Sequence, residues 1–337
     1  MNYWQGKNVF ITGANGFIGG GLAQECLNRG ANVFALIRNE KKDTYLFTEG
    51  LAERITIIRG ELTDRELIRR IFSEERIHCC FHLAAQVEVG VAMSYPYLTY
   101  ETNIKGTYTI MEAVRENRAS VDAVVVASSD KAYGSYELDK LPYREDYPLI
   151  PIYPYDVSKA CADLISRSYA IGSHDLPVII TRFCNIYGPG QLNFSALIPD
   201  TIRSALGYST FIPRGNGLHI RDYIYLDDVV DLYLLLAERL AVDKTLRGEV
   251  FNAGTNEPKQ VKDIVQLIYT MIGKEENYLH VQKQWENKKT LGEIDCQFMA
   301  YDKVNSLFGW KPEVSFDEGL KKTIEWFSKY LRLKYGS

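Results

Sequence analysis

The chain has 337 residues, 46% hydrophobic and 24% charged, with a formal net charge of −4. An apolar fraction of that size can offset the entropy of ordering, which excludes a disordered chain, and the acidic balance argues against nucleic acid as a partner. No run approaches the roughly 18 apolar residues of a membrane span, and residues 1–7 (MNYWQGK) lead into a strand rather than a signal peptide, so the expected compartment is the cytosol.

In chain order, residues 7–12 (KNVFIT) form a short apolar run ending at glycine, the pattern of a buried parallel strand. Helical periodicity follows over 17–29 and stops at Gly30. Further strands are predicted at 32–37, 55–58, 80–83, 123–127 and 178–181. Helices are predicted at 64–73 with Thr63 as cap, at about 102–117, and at about 155–170. Strands alternating with helices at this spacing define an α/β fold, a Rossmann-type doubly wound parallel sheet with right-handed crossovers. After Arg182 the texture changes, with Gly and Pro clustered in YGPGQ and IPRGNG. Residues 1–181 are therefore read as a dinucleotide-binding domain. Residues 182–337 mainly form a smaller C-terminal α/β substrate domain, with about 223–254 returning to the first.

The six cysteines show no CxxC pair and no histidine cluster at zinc-like spacing, so they read as structural thiols and no metal is expected. His82, inside FHLAA, reads as a satisfied core residue.

Gly13, Gly16 and Gly19 stand in ITGANGFIGG, directly after the first strand and at the opening of the first helix. One glycine makes the tight turn, one lets backbone approach a pyrophosphate, and one lets helix pack close to strand. The helix N-terminus offers free N–H groups and partial positive charge to the phosphates. The second strand is followed by Arg38, Asn39 and Glu40, where an acidic residue would read a ribose hydroxyl and an arginine a 2′-phosphate. NAD is the expected cofactor, with NADP open because of Arg38. Glu61, after the third strand, is a candidate adenine contact or a solvated loop carboxylate.

Two segments carry candidate chemistry. Residues 128–134 (SSDKAYG) lie at the carboxyl end of the fifth strand, where ligands bind in open α/β sheets. Tyr155 and Lys159 lie four residues apart at the start of a helix, on one face. A nearby ammonium and a cationic nicotinamide are expected to lower the tyrosine toward neutrality, as a general base taking a sugar hydroxyl proton requires. Ser129 can orient the same hydroxyl. A bare YxxxK arises by chance in many helices; here it follows a glycine-rich turn and a serine pair at a strand end.

GxxGxxG at 13–19, HLAAQ at 82–86, NIKGT at 103–107, the serine pair, YDVSK at 155–159 and RDYIYLDDV at 221–229 together resemble the extended short-chain dehydrogenase/reductases of the NAD-dependent epimerase/dehydratase family. The likeness runs over nearly the whole chain. Asp130-Lys131 after the second serine, SSDKAYG, RFCNIYGPGQLN and LIPD look most like the CDP-glucose 4,6-dehydratases within it. The resemblance implies that Tyr155 is base, Lys159 its activator and Ser129 its helper in oxidation at C4. Asp130 would be the acid that helps water leave C6. Lys131 stands where related dehydratases carry the glutamate that removes the C5 proton; as a base it must be neutral, and otherwise it stabilises an enolate. Alternatives on the same scaffold are an epimerase, a reductase, or a dehydratase of a dTDP-, UDP- or GDP-sugar.

The resemblance further implies cofactor contacts at Asn15, Phe17 and Ile18 of the glycine turn, at Leu62 beside Glu61, and at Ala84, Ala85 and Gln86. A nucleotide-diphosphate sugar is the implied partner, held by Asn185, Asn193, Leu197 and Arg221; for Arg182, pairing inside the core is one reading. Asn103 is expected to hold a helix kink or an ordered water. A homodimer through a four-helix bundle is also implied, from the helices near 102–117 and 155–170. The apolar positions Ile104, Ile110, Met111 and Val114 fit either that bundle or packing on the parent sheet. Deoxysugar biosynthesis is the corresponding setting.

Overall fold

A computed structural model describes residues 2–172, 174–285 and 294–336. In chain order the strands are β1 (Asn8–Thr12), β2 (Asn32–Ile37), β3 (Thr56–Arg59), β4 (Cys79–His82), β5 (Ala123–Ala127), β6 (Val178–Phe183), β7 (Asn185–Tyr187), β8 (Ile220–Arg221), β9 (Tyr223–Tyr225), β10 (Val250–Ala253), β11 (Lys259–Gln260) and β12 (Cys296–Gln297). The chain divides into two compact units. The first comprises 1–134, 145–183 and 229–253, and the second 135–144, 184–228 and 254–337. Residues 135–144 thus leave the first unit in mid-sequence, a detour that no composition shift in the sequence announces.

The first unit is built on a parallel sheet in the order β10-β6-β5-β4-β1-β2-β3. Its central strands are apolar on both faces, as in the AVVVA of β5, because helices cover both sides. Helices such as Phe17–Asn28, Arg65–Glu74, Gly106–Glu116 and Pro154–Ile171 supply that cover. The reversal of strand order beside β1 and β4 is the topological switch point at which such sheets bind ligands. In one core layer, Phe10, Phe72, Cys80, Ile110, Met111, Val114, Val124 and Val126 pack together. Ile110, Met111 and Val114 therefore belong to the parent sheet.

Two local expectations change. The helix after β3 starts at Arg65, and its cap is Asp64 rather than Thr63, because the Asp64 carboxylate accepts the Leu67 N–H at 3.0 Å. The helix expected from 102 begins earlier, at Pro96, and opens into a π-turn over Glu101–Lys105 before Gly106–Glu116. Gly106 fits because Leu62 lies where its side chain would stand, with Leu62 Cγ 2.8 Å from an added Cβ.

The second unit carries a three-stranded sheet, β11-β8-β12, and the parallel pair β7-β9. Its core is aromatic, with Tyr187, Tyr223, Tyr225, Phe316 and Phe327 packed with Ile198 and Ile202.

Candidate active site

The glycine turn is shaped for close backbone approach. Gly13 has φ +78°, which favours glycine, and a Cβ there would fall 2.9 Å from the Ala84 N. A Cβ on Gly19 would fall 2.7 Å from the Ala14 Cα, so this glycine seats the helix against the turn. Gly16 is the helix N-cap, with no side-chain cap. Among the described residues, no partner takes the N–H groups of Phe17 and Ile18, as helix starts dictate. This cradle fits a dinucleotide pyrophosphate. Asn15 pins the turn to the chain beyond β2: its amide donates to the Asn39 carbonyl at 3.2 Å and its oxygen accepts from Thr44.

At the far side of this turn the groups are in water. Arg38 and Glu61 are exposed, and Glu40 is ion-paired with the exposed Arg59. Leu62 is buried in the core.

His82 is a satisfied core residue. Its Nδ1 bonds Thr12 at 2.9 Å and its Nε2 bonds Thr107 at 3.1 Å, and burial, helped by the Lys159 charge, pulls it down to about 3. Thr12 also accepts from the Leu83 and Ala84 N–H groups, fixing the HLAAQ segment beside Gly13. Asn103, in the π-turn, clamps Gln86 from both sides: its oxygen accepts the Gln86 N–H at 2.7 Å and its amide donates to the Gln86 carbonyl at 3.0 Å. The same amide donates to Ser158 at 2.8 Å, so side-chain bonds hold the widened turn.

The catalytic candidates meet at the carboxyl end of β5. Ser129 caps a 3-10 turn, Asp130–Tyr133, and Tyr155 opens the helix Pro154–Ile171 behind its proline. Ser129 is hydrogen-bonded to the Tyr155 phenol and donates to the Asp130 carboxylate at 3.0 Å. One hydroxyl therefore touches both the expected base and the expected acid. Asp130 is buried. Lys131, on the same turn, is half-buried, and its ammonium has no hydrogen-bond or ion-pair partner among the described residues.

The expected lowering of Tyr155 is not found in the chain's own electrostatics. Burial pushes the phenol up, and Asp130 and then Asp156 push it further, against the Ser129 hydrogen bond. Lys159 lies one turn away, but its ammonium donates to the Ala127 carbonyl at 2.7 Å, and burial brings it down to about 8. Asp156 is a participant that sequence reasoning missed; its signal was a carboxylate inside YDVSK, next to a residue that has to ionise.

Arg182 is a core residue, ion-paired with Asp163 at 2.8 Å. In the second unit, Asn185 lies in β7 and donates to the Asp222 carbonyl at 3.2 Å. Arg221, in β8, is buried and donates to the Ile220 carbonyl at 2.9 Å. Asn193 folds a separate turn, accepting the Ser195 N–H at 3.0 Å, and Leu197 starts the helix Leu197–Ala205. Asp222, buried beside Arg221, accepts the Thr255 and Asn256 N–H groups at 2.9 and 3.1 Å.

A glycine cradle at the switch point of a parallel sheet, with serine, tyrosine and lysine gathered beyond β5, defines a Rossmann-type short-chain dehydrogenase/reductase. The family model for GDP-mannose 4,6 dehydratase matches residues 10–323, and the chain belongs to that family. The dTDP-D-glucose 4,6-dehydratase of Homo sapiens is 31% identical over 333 residues, which cover 95% of this chain and 90% of that protein. The CDP-glucose 4,6-dehydratase of Salmonella typhimurium is 29% identical over 342 residues, covering 98% and 93%. A solved dTDP-glucose 4,6-dehydratase from Bacillus anthracis, in complex with NAD, has a TM-score of 0.82 at 28% identity and covers 96% of this chain and 97% of that one. None of the described helices is long and apolar enough to cross a membrane.

Proposed function

We propose that the protein is an NAD-dependent nucleotide-sugar 4,6-dehydratase that converts CDP-D-glucose to CDP-4-keto-6-deoxy-D-glucose. The observation that carries the reaction class is the Ser129 hydroxyl, bonded to Tyr155 on one side and to Asp130 on the other. An epimerase needs the first of these contacts and has no use for the second. The choice of CDP-glucose is supported by Asp130-Lys131 and the segments around it, and relatives named for dTDP- and CDP-glucose match with similar identity.

NAD, when bound, supplies the hydride acceptor for C4, the hydride donor for C6, and a positive charge. Tyr155 takes the proton of the C4 hydroxyl, which Ser129 orients. The C4 ketone acidifies the C5 proton, and Asp130 protonates the departing C6 hydroxyl. Lys131 meets the C5 proton, as a neutral amine that removes it or as an ammonium that stabilises the enolate; a pH–rate profile separates the two. Arg221, Asn185, Asn193 and Leu197 are assigned to the nucleotide sugar, and Arg221 has the forked donors suited to a diphosphate.

The test is incubation with CDP-, dTDP-, UDP- and GDP-linked hexoses in deuterated water without reductant. Loss of one water with deuterium at C5, fastest for CDP-glucose, supports the proposal. An isomer of unchanged mass indicates an epimerase, and stoichiometric consumption of added NADPH a reductase. Assembly as a homodimer in the cytosol belongs to the same reading. Exposed Tyr97, Leu98, Tyr108 and Leu164 on the helices concerned support it, and light scattering of Leu164→Glu tests it.

A further inference from the structure

The carbonyl-side chemistry needs two separate segments, the turn bearing Asp130 and Lys131 and the helix bearing Tyr155 and Lys159, to keep one spacing. Beneath both lies Arg182 on β6, whose side chain is only 2% exposed. Its Nε donates to the Asp163 carboxylate at 2.8 Å. Asp163 lies four residues beyond Lys159 and eight beyond Tyr155, hence on the same face of the same helix. Its Nη1 donates to the Tyr133 hydroxyl at 2.7 Å, and the guanidinium sits 4.7 Å from the centre of that ring. Tyr133 closes the 3-10 turn that Asp130 opens. The Tyr133 hydroxyl donates in turn to Asn252 on β10 at 2.8 Å, and its carbonyl accepts the Ile150 N–H at 3.1 Å.

We infer that Arg182 is a positioning residue for the reaction, a strut that sets the distance between the turn carrying the acid and the helix carrying the base by holding Tyr133 with one arm and Asp163 with the other. The inference rests on the dehydratase reading of the site. Only arginine suits the place: its planar fork presents donors in two directions, whereas the single ammonium of lysine cannot span both acceptors with that geometry. Stability alone is a weak reason to keep such a pair, since buried ion pairs are often no better than well-packed apolar residues. Its gain lies in geometry, where a displacement of an ångström can cost about a hundredfold in rate.

Tyr133→Phe removes the hydroxyl from the full-length protein and leaves the ring to fill its space. The expected result is a kcat for dehydration lowered about tenfold, KM within about twofold, and reduced nicotinamide accumulating during turnover because elimination now lags oxidation. Arg182→Lys should show the same split in whatever fraction folds, while Asp163→Asn, which keeps an acceptor for the guanidinium, restores most of kcat relative to Asp163→Ala. Amide hydrogen exchange gives a readout without turnover: Tyr133→Phe should speed exchange at 128–134 and leave 8–12 unchanged. A Tyr133→Phe enzyme with wild-type kcat, or with a lower melting temperature and no change in the split between oxidation and elimination, overturns the inference. A wild-type enzyme that dehydrates no nucleotide sugar overturns the dehydratase reading instead; the strut then stands or falls on exchange at 128–134, and unchanged exchange there sinks it.

Discussion

The two ends of the cofactor cleft in the first unit are built on different terms. At the nicotinamide end, Ser129, Asp130, Tyr155, Lys159, Asn103 and His82 are tied to one another or to backbone, and most are shielded from water. At the adenosine end, Arg38 and Glu61 stand in solvent and Glu40 is occupied by Arg59. Chemistry demands fixed geometry in a low dielectric, whereas recognition of a ribose tolerates groups that arrive with the ligand. The difference teaches where substitutions should hurt.

The largest effect is expected from Tyr155→Phe, which removes the proton acceptor and should cut kcat about a thousandfold on the sugar that is turned over. A loss below tenfold would show that the buried end is not where the proton goes. Asp130→Asn should slow elimination about a hundredfold while sparing oxidation, so reduced nicotinamide builds up in a single turnover. Equal loss of both steps would merge two roles kept separate here. Gly19→Ala places a methyl against the backbone of Ala14 and should destabilise the fold by about 1–3 kcal/mol and weaken NAD binding, read by urea unfolding and by titration.

A smaller effect concerns pH. Lys159 is held at about 8 when folded, against a usual value of 10.5. Between those values the unfolded chain binds the extra proton, so this residue makes stability rise with pH from about 8. Near 10 the tyrosines of the unfolded chain begin to ionise while Tyr155 resists, which opposes the rise. Lys159→Met should flatten the climb by about 3 kcal/mol at most, seen in unfolding midpoints between these pH values. The smallest effect is at the exposed end: Arg38→Ala should change the Kd for NAD less than about threefold, as expected for a solvated charge.

Much of this division could be read in the sequence. The strands at 32–37 and 123–127 emerged with their observed limits because they are apolar runs bounded by turn residues. The glycine turn and the Tyr155–Lys159 pair were legible because each has a fixed local spacing. What escaped depends on contacts across the sequence. The ammonium of Lys159 finds the Ala127 carbonyl, 32 residues away, and that preference is invisible in a YxxxK pattern. Asp156 matters only because folding buries it next to Tyr155, and the departure of 135–144 from the first unit has no compositional mark. The earlier start at Pro96 was hidden by the π-turn, whose widened spacing breaks a 3.6-residue period.

That widened turn sets a rule for chain length. Removing one residue between 101 and 105 would restore an ordinary helix but rotate everything after it by about 100°. Ile110, Met111 and Val114 would swing out toward water, and the Asn103 amide would no longer reach both Gln86 and Ser158. Insertions and deletions in this stretch are thus far less tolerable than substitutions, and a sibling enzyme one residue shorter here would need a different way to brace its HLAAQ loop.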